Sequence, residues 1–250
     1  MTKIQTKGIY FNQTNCKRMI KAILFDLDNT LIDFLTFKKE SAKAAAKAMI
    51  AKGLPATEIE AYGKIFSVYD EKGIEYQKTF GDVVRQYNLE VNQAERIQQA
   101  AIIAYLKKKF EILRPYPMVK LTLHELRERG LKLGIATDAP RNKAWQRLVL
   151  TGLDEEFNVV ITKDDVQVQK PHPSMFILAS EKLGIPPSEI MFVGDNPVRD
   201  IEGAKAVGMI TCLARYGVWY EKECKADYEI ERFDDLIDVV RKINSGGSEW

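Results

Sequence analysis

Histidine and cysteine are scarce in this chain: two histidines, His124 and His172, and three cysteines, Cys16, Cys212 and Cys224. Two histidines are too few for an imidazole-based zinc site, and no Cys-x-x-Cys pair replaces them. An odd, sparse cysteine set is not a disulfide framework, which points to a reducing compartment, the cytoplasm. No charge sign dominates: 37 Lys+Arg stand against 35 Asp+Glu, a net charge of +2. A dedicated nucleic-acid surface would be more basic and more clustered, so no nucleic-acid partner is expected. Long apolar runs are missing too, since Ala22–Phe25 is cut off at once by Asp26, and no membrane partner is expected. Residues 1–18 lack the apolar segment of a secretion signal and read as a flexible extension before Met19, an alternative start. The oligomeric state is not legible.

What is present is 46% hydrophobic residues in 250, enough for one large domain or for a core with a smaller lid. The continuous apolar run 22–25 reads as a strand buried on both faces of a parallel sheet. It gives way to the polar cluster Asp26-Leu27-Asp28-Asn29-Thr30. Helix formers then dominate, and helices are expected over 39–52, 58–69, 76–87 and 93–110, punctuated by Gly53-Leu54-Pro55, Gly73 and Asn88. Two prolines in Leu113-Arg114-Pro115-Tyr116-Pro117 mark a hinge. Beyond it, strands at 131–137, 159–162, 190–193, 209–213 and 228–230 alternate with helices at 119–129, 143–150, 174–183, 198–207 and 233–243. Residues 245–250 read as a disordered tail. This alternation predicts an α/β fold, a Rossmann-like parallel sheet core from 19–33 and 114–244, with a four-helix cap inserted at 34–113.

Sites on open parallel sheets form beyond the carboxyl ends of the strands. The residues there are Asp26 and Asp28 after the first strand, Thr137 and Asp138 after the second, and Asp195 after residues 190–193, with Asp200 five residues on. Lys170 precedes Pro171 ahead of helix 174–183. Asp26 and Asp28, at i and i+2 of extended chain, face one side. Adding Asp195 crowds like charges, a repulsion that a hard cation with oxygen ligands resolves, magnesium above all.

In order and spacing these segments resemble the four motifs of the haloacid dehalogenase-like superfamily. Phe25-Asp26-Leu27-Asp28-Asn29-Thr30-Leu31 is similar to the first motif, Ile135-Ala136-Thr137 to the second and Lys170-Pro171 to the third. The segment Val193-Gly194-Asp195-Asn196-Pro197-Val198-Arg199-Asp200 is similar to the fourth. The resemblance implies a magnesium-dependent phosphatase, a phosphoric monoester hydrolase acting through an aspartyl-phosphate. Asp26 would be nucleophile and metal ligand. Asp28 would be acid and base, its backbone carbonyl also on the metal. Thr137 and Lys170 would hold the phosphoryl oxygens, Asp195 would bind metal directly, and Asp200 would support it from behind. Relatives often carry Asn or Ser where Asp138 stands here. Its backbone N–H is expected to meet phosphate while its side chain turns away.

Each residue alone also has a plainer reading. Asp-Leu-Asp-Asn-Thr suits a turn with a helix cap, Thr137 suits a cap, and Asp200 either caps its helix or serves the metal site. A lone Lys170 would be a solvated lysine. His172 has no carboxylate beside it and reads as a loop residue, Cys212 as a small buried apolar group. Tyr62, Phe66, Tyr69, Tyr76 and Phe80 read mainly as the packing face of the helical block. Lys107-Lys108-Lys109 reads as a solvated helix end.

Within the same superfamily a dehalogenase attacks carbon, needs no magnesium and normally lacks an acid two places after the nucleophile, so Asp28 and Asp195 favour phosphate. A mutase uses the same residues. A non-catalytic binding protein would be expected to have lost Asp26 or Lys170. The inserted helical block resembles the caps of this superfamily's small-molecule phosphatases, so the expected partner is a small phosphorylated metabolite. Across core and cap the chain is similar to archaeal members described as glyceraldehyde 3-phosphate phosphatases, a likeness carried by no single motif.

Overall fold

The computed structural model describes residues 19–219 and 222–245. The expectations for residues 1–18 and 246–250, and Cys16 with them, lie outside the described residues. Six parallel strands form one sheet in the order β3-β2-β1-β4-β5-β6. They are β1 (Ala22–Phe25), β2 (Lys132–Thr137), β3 (Val159–Thr162), β4 (Ile190–Gly194), β5 (Ile210–Ala214) and β6 (Tyr228–Ile230). Phe25 pairs with Ile135 on one side and Val193 on the other, so β1 sits at the centre with β2 and β4 flanking it.

Successive strand residues point to opposite faces. Ile23, Phe25, Leu133, Ile135, Met191 and Val193 therefore pack into one apolar cluster. Helices α5 (Val119–Glu128), α6 (Arg141–Thr151) and α10 (Asp235–Ser245) cover it. Ala22, Leu24, Ala136, Ile161 and Phe192 pack into a second cluster against α8 (Ser174–Leu183). Ser245 closes α10 instead of opening the tail. The short α7 (Lys163–Val166) follows β3.

Four helices lie between β1 and β2 in the chain: α1 (Phe34–Ala51), α2 (Glu58–Lys72), α3 (Thr79–Val84) and α4 (Val91–Ile112). They share a third apolar cluster, with Ala42, Ala45 and Ala46 of α1 buried beside Ile97 and Ala101 of α4. Helix α1 begins five residues before its expected start, because Asp33 caps it by accepting from the Thr36 N–H at 3.2 Å. Helix α3 is shorter than expected, since the Tyr76 N–H goes back to the Gly73 carbonyl in a turn. Tyr69 and Phe80 are buried in this cluster and Tyr62, Phe66 and Tyr76 pack against it, which is the packing role expected of them.

The run 107–109 departs from expectation. Lys109 is buried, its ammonium donating to Gln146 Oε1 at 2.6 Å. The end of α4 points toward α6, a neighbour that no local pattern reveals. The expected helix over 198–207 also differs: Pro197–Glu202 winds as a π-helix and only Gly203–Ala206 (α9) is α-helical. Asp200 directs its carboxylate back to the Asn196 N–H at 2.9 Å, and Asn196 Oδ1 accepts from the Val198 and Arg199 N–H groups. Wide π turns of this kind are frequent at functional sites.

Candidate active site

The carboxyl ends of β1, β2 and β4 bring the expected residues together. Asp26 continues β1, its N–H bonded to the Val193 carbonyl at 2.9 Å. The chain then turns sharply, with Asn29 at φ 61° and its side-chain oxygen accepting the Leu35 N–H at 2.9 Å. Asn tolerates this left-handed conformation better than most residues. The turn leaves Thr30 buried, its hydroxyl donating to Asp195 Oδ1 at 3.3 Å. Carboxylate oxygens of Asp26, Asp195 and Asp200 lie within 4.8 Å of one another, and all three residues are buried. Asp200 reaches this group because Gly194 has no side chain: a Cβ there would stand 2.5 Å from the Asp200 Cβ.

Lys170 is buried with its ammonium between Asp26 and Asp200, donating to Asp26 Oδ1 and standing 2.7 Å from Asp200 Oδ1. It also donates to the Ala136 carbonyl at 3.0 Å. Thr137 closes β2, its hydroxyl oxygen accepting the Ala139 N–H at 3.2 Å. The Asp138 carboxylate accepts the Lys170 backbone N–H at 2.9 Å and faces Arg199 at 3.5 Å. His172 is an exposed loop residue within 2.9 Å of the Ser174 hydroxyl, and Cys212 is a buried strand residue.

Asp28 points elsewhere. Its Oδ2 accepts from the Arg147 guanidinium at 2.7 Å, whereas its buried Oδ1 has no partner. The other end of the guanidinium donates to Glu75, in the connection between α2 and α3. Arg147 is 1% exposed and lies against the face of Phe34, 4.6 Å from the ring centre.

Residues 20–208 match the family model of the haloacid dehalogenase-like hydrolases. The chain belongs to this family. A glyceraldehyde 3-phosphate phosphatase of Methanopyrus kandleri is 37% identical over 90% of this chain and 99% of its own. One of Methanocaldococcus jannaschii is 36% identical, again over 90% and 99%. Among solved structures, a phosphatase of this family from Thermococcus onnurineus is similar with a TM-score of 0.67 and 29% identity, covering 88% of this chain and 98% of its own. The protein is an enzyme, a phosphatase in reaction class.

In this hydrolase, electrostatics are dominated by burial. Asp26 is pushed up to about 7, by burial first, against the pull of Lys170 and with Asp200 and Asp28 adding to the rise. Burial raises Asp195 well above the carboxylate range, helped by Asp200 and Asp26. Burial works against the charge on Lys170, but Asp200, Asp26 and Asp138 outweigh it and raise its pKa. Burial raises Asp28 to about 6, with Arg147 opposing. Among the described residues, Lys170 is the ammonium paired directly with the crowded group Asp26, Asp195 and Asp200. A hard, oxygen-seeking dication fits such a donor set.

Arg147 and Glu75 were not legible as parts of the site. One signal existed: Ala144, Arg147, Leu148 and Thr151 are the buried residues of α6, and their spacing places Arg147 on its apolar face. A single arginine there reads as solvated until the element packed above it is known. Gly217 was missed as well. A Cβ on it would fall 1.9 Å from the Asn29 carbonyl oxygen and 2.8 Å from the Asp195 Cβ, so only glycine lets this loop close on the site.

Proposed function

We propose that this enzyme is a magnesium-dependent phosphatase for a small phosphorylated metabolite, working through an aspartyl-phosphate on Asp26. The observation that carries this reading is the Lys170 ammonium between Asp26 and Asp200 at the centre of the sheet, with Asp195 completing the acidic group. An Asp26 oxygen attacks phosphorus, the ester P–O bond breaks, and the leaving oxygen takes a proton from Asp28. Asp28 Oδ1, buried and unpartnered, is the atom able to carry that proton. Asp28 then takes a proton from water as its oxygen attacks phosphorus, and the bond from phosphorus to Asp26 breaks. Lys170 and Thr137 hold the phosphoryl oxygens, with the Asp138 backbone N–H beside them. The Asp138 side chain stays with Lys170 N–H and Arg199.

Asp26, Asp195 and the Asp28 carbonyl would hold magnesium, with Asp200 supporting them. When bound, the ion neutralises charge on the carboxylates and on the phosphoryl group.

The helical block 34–113 acts as a lid in this reading. Its two connections to the core run side by side, Asp33 N–H reaching the Arg114 carbonyl at 3.4 Å and Tyr116 N–H the Leu31 carbonyl at 2.9 Å. That proximity suits a hinge. Closure limits substrate size, favouring sugar phosphates and triose phosphates such as glyceraldehyde 3-phosphate, the compound in the relatives' names. We place the enzyme in the cytoplasm, in keeping with the free thiols of Cys212 and Cys224. No helix among the described residues is long and apolar enough to cross a membrane.

Screening phosphorylated metabolites with magnesium and with excess EDTA tests the reading. Magnesium-dependent release of phosphate from small esters is expected. Chloride release from 2-chloro acids, or metal-independent turnover, would overturn it in favour of the dehalogenase. Isomerised sugar phosphate in place of free phosphate would favour the mutase.

A further inference from the structure

Around the Phe34 and Phe37 rings, next to the Asp28 carboxylate that Arg147 holds, three cations are buried together. Lys38 of α1 and Lys109 of α4 are each 5% exposed, and Arg147 of α6 is 1% exposed. Arg147 spends two nitrogens on Asp28 and Glu75, while its Nε is buried without a partner. Among the described residues neither lysine has a carboxylate within ion-pair distance. Lys38 donates to the Ile74 carbonyl at 2.6 Å and Lys109 to Gln146 at 2.6 Å. Aromatic faces surround Lys38, the Tyr69 ring centre being 4.7 Å away and that of Tyr105 5.6 Å.

A buried ammonium with only neutral partners is costly, and proteins ordinarily pair or expose such charges. Rings and a carbonyl soften that cost without supplying the missing negative charge. Burial accordingly lowers both lysines to about 8, even with Glu75 pulling the other way. Among the described residues the three buried cations face two carboxylates, Asp28 and Glu75, which leaves one buried positive charge uncompensated. The apolar volume of the block would be served as well by Met or Leu at positions 38 and 109, so packing does not explain two lysines.

Their position gives them a use. In the phosphatase reading, on which this inference rests, Asp28 hands its proton to the leaving oxygen. The leaving group therefore meets Asp28 at Oδ1, on the same carboxylate whose Oδ2 accepts from Arg147 at 2.7 Å. We propose that Lys38, Lys109 and Arg147 form a subsite for a carboxylate on the leaving alcohol, so that the preferred substrates are phosphate monoesters of small hydroxy acids. A single surplus charge matches a monoanionic carboxylate better than a second, dianionic phosphate. Because Lys38 and Lys109 come from the helical block and Arg147 from the core, such a ligand also ties the block to the core.

The test compares 3-phosphoglycerate with glyceraldehyde 3-phosphate, which share a carbon skeleton and differ in carboxylate against aldehyde. In the wild-type enzyme with magnesium, kcat/KM for the acid should exceed that for the aldehyde by about tenfold or more, the size of one or two charge-assisted hydrogen bonds. Lys38→Met and Lys109→Met, made separately in case one fails to fold, should each cut this preference severalfold, chiefly through KM. Calorimetric titration of Asp26→Asn with 3-phosphoglycerate and with glycerol 3-phosphate gives a readout independent of turnover. If no ester is hydrolysed, tighter binding of the acid, weakened by either lysine substitution, still supports the subsite while the phosphatase reading fails. Equal handling of acid and neutral compounds, or a preference untouched in both lysine variants, overturns the proposal.

Discussion

Arg147 grips Asp28 at 2.7 Å with one nitrogen and Glu75 with another, joining α6, the loop after β1 and the helical block through one buried guanidinium. Both carboxylates face an arginine that is itself 1% exposed. Removing it breaks the direct ion pair that each acid makes, and Lys38 and Lys109 stand too far off to replace it. Arg147→Met should therefore destabilise the enzyme by about 2–3 kcal/mol, below the 3–5 kcal/mol of fully buried pairs because Asp28 and Glu75 keep some solvent. Chemical denaturation measures this, and a loss under about 0.5 kcal/mol, the scale of ordinary surface substitutions, would show the link to be energetically idle.

Asp26→Asn should abolish turnover while leaving circular dichroism and the denaturation midpoint close to wild type. An amide is a far poorer nucleophile than a carboxylate. It also removes like-charge repulsion from a crowded site, so the fold has little reason to suffer. Residual activity above about one hundredth of wild type would refute covalent catalysis by Asp26.

Magnesium should support activity and calcium should not. Calcium takes more ligands at longer distances, and would misplace the Asp26 oxygen relative to phosphorus. Steady-state assays after EDTA treatment, with each ion added back, decide the point. Equal rates with both ions would remove magnesium from the mechanism.

In EDTA, stability should fall as pH rises through the range of the Asp28 and Asp26 values, about 6 and about 7. The sign follows from the direction of the shifts. Both folded-state values lie above 3.8, the ordinary carboxylate value, so the folded state holds protons that the unfolded chain has released. That contribution is complete below about pH 4 and is lost as pH climbs past 6 to 7. Magnesium should restore most at the alkaline end, where the carboxylates are ionised and the ion binds the folded state alone. A metal-free melting temperature that increases between pH 6 and 8 would contradict this.

A fluoride-based phosphate analogue with magnesium should slow hydrogen exchange around residues 32–33 and 114–117 and along block surfaces facing the core. The lid reading requires that closure protect those amides. Unchanged exchange, together with phosphopeptide turnover as fast as that of small esters, would make the block a static decoration.

Strand-to-helix alternation was enough to specify a parallel sheet, because buried parallel strands must be short continuous apolar runs and their crossovers must be helical. The order and spacing of Asp26, Asp28, Thr137, Lys170 and Asp195 were likewise legible. Asp26, Asp28, Thr137 and Asp195 stand where strands end, a place fixed by local pattern, whereas Lys170 lies inside a crossover ahead of α8 and stood out only through its place in the motif order. Helix starts were less legible: Phe34, Thr36 and Phe37, weaker helix formers, hid a helix that Asp33 caps.

What the sequence determined by itself is thus which polar groups follow the carboxyl ends of strands, read from periodicity, and that they form one set with Lys170, read from the resemblance of their order and spacing to the four family motifs. Tertiary structure alone decided the pairings. Asp200 beside Lys170, Arg147 beneath the helical block and Lys109 turned inward toward Gln146 all depend on which helix packs on which. A lysine or arginine on a helix has the same local signature whether its neighbour is water or a second helix, and only the packed fold distinguishes the two.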